Sequence, residues 1–176
     1  QVSGGRFVFG VGNGWNRDEM ENHGTDFATR HKRARENIEA MKEIWTKSKA
    51  EYHGEFVNFD PMMAWPKPVQ KPHPPILLGG ESDHTLRRVM DFGDGWFPRG
   101  RGFADPEAAM ARLRRFAEQA GRDPKTVSTT LFGATPDAAY LDRCRAAGLD
   151  RALFALPSEG RDALLPMMDQ YAAFLE

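Results

Sequence analysis

The residues best suited to chemistry lie where strand-like runs meet glycine. Gly10-Val11-Gly12-Asn13-Gly14-Trp15 closes one such run, Gly79-Gly80-Glu81-Ser82 closes a second, and Asp94-Gly95-Trp96 begins a third. Glycine at such places lets the backbone come close to a ligand. Gly12, Asn13 and Gly14 would floor a pocket beside the planar Trp15; a tight turn is the competing reading. A dinucleotide fingerprint does not fit, because G-x-G-x-x-G would put its third glycine at Trp15, where no helix is expected to start. After Gly79 and Gly80, Ser82 is a good N-cap, and the N–H groups and positive end of the helix that follows form an anion site suited to phosphate. Glu81 must then point away from that anion. A helix cap after a tight turn explains the same residues without any ligand. Asp94 could accept a ligand hydrogen bond or bond its own loop, and Trp96 could stack on a ring or fill the core.

Other chemistries lack their residues. His23, His31, His53, His73 and His84 show no metal-ligand spacing and have no second cysteine to join them, so no metal site is expected. There is no G-x-S-x-G elbow and no Walker loop. Cys144 is the one cysteine, which excludes an internal disulfide and suits a reducing cytoplasm; its helix position is that of a small buried hydrophobe. With 24 Lys+Arg against 25 Asp+Glu, net charge is -1, and neither nucleic acid nor an anionic membrane is an expected partner. No apolar run approaches bilayer length. The chain begins with Gln1, which is expected to mean either removal of something upstream or a fragment.

Strand and helix periods alternate along the chain and must position these residues. A strand at 6–11 precedes a helix at about 27–45, whose Ala34, Ile38, Met41 and Trp45 line one face. Residues 52–59 read as a short strand or hairpin. Pro61, Pro66, Pro68, Pro72, Pro74 and Pro75 then hold the chain extended, making about 48–75 a fixed Pro-rich insertion within a single domain spanning 1–176. A strand at 76–78 leads to a helix carrying Leu86, Val89 and Met90 inward, with Gly93 as its C′ residue. A short strand at 95–97 is followed by a helix capped by Asp105 and Pro106, with Met110, Leu113, Phe116 and Ala120 buried. A strand at 127–132, a helix opened by Thr135-Pro136 and ended by Gly148, a strand at 152–156 and a final helix with Leu164, Met167, Met168, Tyr171 and Leu175 on one face complete the pattern. That is five strand–helix units of about 35 residues each, the repeat of a (β/α)8 barrel, for which about 250 residues are typical. Parallel strands follow. An incomplete barrel and an open doubly wound sheet both remain compatible with this rhythm.

Taken together the motifs resemble a known family. Ser3-Gly4-Gly5-Arg6, Phe9 through Trp15 and Glu19 resemble the fourth-strand signature of luciferase-like monooxygenases, closest to the branch using the deazaflavin coenzyme F420. Phe27 with Arg30, Trp45, Tyr52-His53-Gly54, Phe59, Pro66-Lys67-Pro68-Val69-Gln70, Pro72-His73-Pro74-Pro75-Ile76, Gly79-Gly80 and Gly93-Asp94-Gly95-Trp96 continue it in order. The resemblance covers about 3–99; beyond that only the rhythm is shared.

It implies an incomplete (β/α)8 TIM-barrel with insertions, corresponding to strands four to eight, without the first three. It implies an oxidoreductase acting on a small organic substrate by hydride transfer or monooxygenation, with coenzyme F420 or FMN. Gly12, Asn13, Gly14 and Trp15 would lie near the ring, Gly79, Gly80 and Ser82 would meet the phosphate, and Asp94, Gly95 and Trp96 would line the same mouth. No residue matches an established catalytic acid or base of the family, so none is assigned. Open strand edges invite association. The chain is therefore expected to be a homo-oligomer or to join a missing N-terminal part. A cofactor-free barrel remnant acting as a structural or interaction module is the alternative.

Overall fold

The computed structural model describes residues 2–175 and divides into two compact units, 1–76 and 77–176. In the first, strand β1 (Phe9–Val11) is shorter than the period suggested, and its Phe9 N–H donates to the Pro75 carbonyl at 2.8 Å. Helix α1 (Arg17–Asn22) corrects the expectation that none would start after Trp15: the Asn16 side chain caps it by accepting from Glu19 N–H. A 3-10 turn at Phe27–Thr29 leads into α2 (Arg30–Thr46), where Ile38 is 1% exposed while Ala34, Met41 and Trp45 are only half-buried.

Residues after α2 form an antiparallel hairpin of β2 (Ala50–His53) and β3 (Asn58–Met62). One carboxylate on α2 organises its turn. Glu36 accepts the backbone N–H groups of Glu55 at 3.0 Å, Phe56 at 2.7 Å and Val57 at 3.1 Å. Desolvation works to raise the Glu36 pKa, but the N–H donors of Phe56, Glu55 and Val57 and the charge of Arg33 outweigh it and hold the group below its usual value. Tyr52 donates to Glu39 at 2.7 Å; burial, and then this carboxylate, push the phenol up to about 12. Further on, Lys67 donates to the last-turn carbonyl of Ile44 at 2.6 Å, and the Trp45 ring lies 6.2 Å from Phe9 and 6.1 Å from His73. The proline stretch forms no helix, as expected, but it is not held extended: only Pro61 lies in a strand, residues 69–74 are a run of bends, and the Trp65-Pro66 and Lys71-Pro72 peptides are cis.

The second unit holds four parallel strands in sequence order. They are β4 (Ile76–Gly79), β5 (Gly95–Phe97), β6 (Ser128–Phe132) and β7 (Arg151–Leu153). Leu78 registers with Trp96, Trp96 with Thr129, and Leu131 with Ala152. Helices α3 (Asp83–Phe92), α4 (Pro106–Gln119), α5 (Ala138–Ala147) and α6 (Arg161–Ala172) follow the strands in turn. Ser82 and Asp105 cap α3 and α4 through their side chains, with Pro106 in the first turn. Asp137 caps α5, two residues beyond the expected Thr135, and Gly148 ends it at φ +100. Gly93 is not left-handed; it is glycine because a Cβ would sit 3.2 Å from Leu78 and the Val89 backbone. On α4 the buried stripe uses Ala117 in place of the exposed Ala120, and α6 has no buried residue, with Met168 and Leu175 exposed.

Side-chain cations tie these elements together. Arg122 Nη1 donates to the carbonyls of Val89 at 2.9 Å, Met90 at 3.2 Å and Gly93 at 2.9 Å, closing the C-terminal end of α3. Arg143 on α5 forks onto Glu107 of α4 at 3.0 and 2.6 Å.

Two outcomes follow. A Cβ at Gly95 would strike Leu77, the Ser128 carbonyl and the Ser128 hydroxyl, so Gly95→Ala should destabilise the chain by ~1–3 kcal/mol in urea unfolding. Arg143 holds the Glu107 carboxyl at about 2 against an ordinary 4.5, so the pair contributes fully above pH 4.5 and is lost as pH falls toward 2. Acid titration of Glu107→Gln, followed by circular dichroism, should show a shallower loss of stability over that window than the parent.

Candidate functional site

The end of β1 opens onto a cavity of about 390 Å³. Gly12, Asn13, Gly14 and Trp15 all line it, with Met20 of α1 and Arg30 and Arg33 of α2 among the remaining walls. A Cβ at Gly12 would meet nothing within 4 Å, so the backbone there is open to an incoming group. Gly14 has φ +76, a conformation that favours glycine, and a Cβ there would lie 2.5 Å from Met20 Sδ of α1. Trp15 is 85% exposed, an indole with no protein ring against it among the described contacts. The helix that packs against Gly14 was missed because it is short, yet its signal was present: Asn16 with Glu19 three residues on has capping-box spacing.

Arg30 and Arg33, one turn apart, each carry a buried Nε without a hydrogen-bond partner. Each guanidinium lies over an aromatic ring, Arg30 at 3.6 Å from the Phe27 centroid and Arg33 at 4.9 Å from that of Phe56. The polar wall of the cavity is thus built on rigid elements and held by cation–π contacts.

The second cluster lies in the second unit. Gly79 ends β4, and Gly80 follows at φ +122, where a Cβ would stand 2.7 Å from Thr85 Oγ1. Ser82 Oγ accepts from Thr85 N–H at 3.2 Å and pairs with Thr85 Oγ1 at 3.1 Å, giving α3 its cap. Glu81 turns to Arg99. Arg99 donates to it through Nε and Nη2, both at 2.8 Å, and first through this bond the Glu81 carboxyl is lowered to about 2. Asp83 is paired with Arg112, whose bond holds its carboxyl below the usual range.

Of the third motif, Asp94 precedes β5 and its carbonyl accepts from Ser128 at 3.2 Å. Gly95 is buried between β4 and β6. Trp96 is 0% exposed, lies 5.9 Å from the Phe103 ring and donates Nε1–H to the Gly80 carbonyl at 2.7 Å. The structure therefore joins Trp96 to Gly80 by a hydrogen bond, and Gly80 packs against Thr85, the partner of Ser82 in the cap. The residues 12–15 form a separate cluster in the first unit. Among the described residues, no group of three His, Cys, Asp or Glu could hold a metal ion, and no helix is long and apolar enough to cross a membrane.

Comparison with known proteins sets this geometry in a family. The family model described as luciferase-like monooxygenase matches residues 1–156. An uncharacterised protein of Mycobacterium tuberculosis is 37% identical over 99% of this chain and 61% of its own length. The FMNH2-dependent dimethylsulfone monooxygenase of Pseudomonas putida is 32% identical over 71% of this chain and 35% of its own. Among solved structures, an F420-dependent secondary alcohol dehydrogenase in complex with an F420-acetone adduct superposes with a TM-score of 0.61 at 15% identity, covering 98% of this chain and 62% of that one. At that identity the likeness establishes the fold, which is the parallel (β/α)8 barrel type in incomplete form and not the open doubly wound sheet. The chain spans between about a third and two thirds of the lengths of these relatives. The family match over residues 1–156, agreeing with the glycine-ended strands and their order, makes this chain a member of the luciferase-like monooxygenase family.

Proposed function

We propose that this chain forms part of an oxidoreductase that uses coenzyme F420 or FMN to act on a small organic substrate. The observation that carries the reading is the open cavity beneath the residues 12–15, with the exposed Trp15 at its rim. The residues present fit a planar, conjugated ring. Gly12 leaves its backbone accessible, Asn13 offers amide donor and acceptor, and Trp15 offers an aromatic face for stacking. The relatives named above include one FMNH2-dependent monooxygenase and one F420-dependent dehydrogenase, which supports this pair of cofactors. Bound here, a deazaflavin would supply hydride transfer and a reduced FMN would supply oxygen activation.

The protein's own contribution is to bind, orient and exclude water. In the first unit, Trp15 would cover one face of the ring and the residues 12–14 would hold its edge. In the second unit, taken by itself, Gly79, Gly80 and Ser82 offer the positive end of α3 to a phosphate group, with the Glu81 charge already neutralised by Arg99. Asp94, Gly95 and Trp96 support that turn, Trp96 by fixing the Gly80 carbonyl. No side chain is assigned as catalytic acid or base.

A second reading rests on a different observation. Phe132, Leu153 and Leu156 at the β7 side of the sheet are exposed, and β7 is the last strand in the order. This edge suits a strand from a second copy or from further sequence of the same polypeptide. On this reading the chain serves as an interaction module without a cofactor.

Titration with FMN and with the deazaflavin, followed by fluorescence, separates the two. Binding should occur in the chain, and Trp15→Ala should weaken it about tenfold, as expected for losing ~1.4 kcal/mol of stacking and contact. Binding of neither cofactor, with light scattering showing a stable dimer, would leave the module reading.

A further inference from the structure

The loop after β5 is held by a carboxylate that belongs to the turn after β4. From Phe97 the chain passes Pro98 and Arg99, makes a 3-10 turn at Gly100–Gly102 and buries Phe103 before α4 begins. Glu81 meets this loop at three points. Its Oε1 accepts the Arg99 backbone N–H at 3.2 Å and Arg99 Nε at 2.8 Å, and its Oε2 accepts Nη2 at 2.8 Å, while Arg101 Nη2 stands 3.6 Å away. Gly102 packs against the Glu81 stem so tightly that a Cβ there would run into it. Arg112 of α4 holds the other side, donating Nη1 to the Glu81 carbonyl at 2.8 Å and its remaining fork to Asp83.

The same loop also lies along β6. Arg99 forms an isolated parallel bridge with Phe132, and a Cβ at Gly100 would stand 2.5 Å from the Gly133 carbonyl. Main-chain and guanidinium donors of one residue thus converge on one carboxylate, a bidentate arrangement stronger than a simple surface pair. Loops of this length carrying glycines are ordinarily the mobile parts of a domain.

We propose that Glu81 is a positioning residue: through Arg99 it latches the loop 98–105 to the turn 79–82, so the two strand-end loops form one rigid rim around the helix end assigned to the cofactor phosphate. The rim's role in cofactor binding rests on the function proposed above; the latch does not. Glu81 contributes by fixing Arg99, and it keeps its own charge away from the incoming anion.

Hydrogen exchange on the whole 176-residue chain tests the latch without any ligand. Glu81→Ala and Arg99→Ala should each lose about tenfold protection in 98–104, the loss expected from one charge-assisted fork of ~1.4 kcal/mol, with no further loss in the double variant. Glu81→Gln, which keeps an acceptor without the charge, should lose less. Unchanged protection, additive losses, or loosening spread evenly over the chain would overturn the latch. Titration with FMN and the deazaflavin then tests the rim. Both alanine variants should bind about tenfold more weakly than the parent, in step with their exchange. Equal affinity in a loosened variant would overturn the rim, whereas a parent that binds neither cofactor would remove the cofactor reading and leave the latch to be decided by exchange.

Discussion

The second unit is organised around one buried hydrogen bond, from the Trp96 indole to the Gly80 carbonyl at 2.7 Å. A buried N–H left without an acceptor costs ~1–3 kcal/mol, so wherever Trp96 is packed, a carbonyl must be brought to it. Gly80 supplies that carbonyl from a backbone conformation, φ +122, that glycine adopts without penalty. The missing Cβ also leaves room for Thr85, which is part of the α3 cap. One bond therefore couples the middle of β5 to the turn after β4, and the close packing of Gly80 on Thr85 brings in the first turn of α3. A strand of only three residues makes few ladder hydrogen bonds, and β5 gains from this side-chain anchor a fixed position that its backbone alone would hold weakly.

Around that anchor the connections are made by guanidinium groups. Beyond residue 76 the chain has twelve arginines and a single lysine, Lys125, and the structure shows why the planar fork is preferred. Arg122 gathers three carbonyls at one helix end, and Arg112 reaches a carbonyl and a carboxylate at once. An ammonium group has neither the reach nor the fixed geometry for this. Several helices in this unit are short and only half-buried, so ties of this kind decide where their ends sit.

Helix ends in this chain carry local signals, whereas the ties between distant residues carry none. Ser82, Asp105 with Pro106, and Gly148 announce their helix ends because a cap is chosen by residues within one turn. The parallel order also follows from the alternation of strand and helix along the chain. Glu81 to Arg99, and Arg122 to the α3 carbonyls, join residues 18 to 33 positions apart, and no periodicity marks such pairs. Trp96 was open between ring stacking and core because an aromatic side chain looks alike in both roles until its surroundings are known. The last helix carries an apolar stripe, yet Leu164, Met167 and Tyr171 are only half-buried and Met168 and Leu175 are exposed: amphipathicity states which face seeks a partner and not how fully it is covered.

The hairpin of the first unit has a consequence of another kind. Its tip is attached to α2 in two ways, with Glu36 taking three backbone N–H groups and Arg33 lying over the Phe56 ring. The first does not depend on side-chain identity, since Glu36 binds N–H groups that nearly every amino acid possesses, whereas the second needs an aromatic ring at 56. Mutational drift can therefore rewrite the exposed Glu55, whose pairing with Lys32 is loose at 3.8 Å, provided the flanking Gly54 is kept to make room for the carboxylate. The docking of this segment is thus encoded largely in the helix, and selection is left free to vary the tip only at that exposed position.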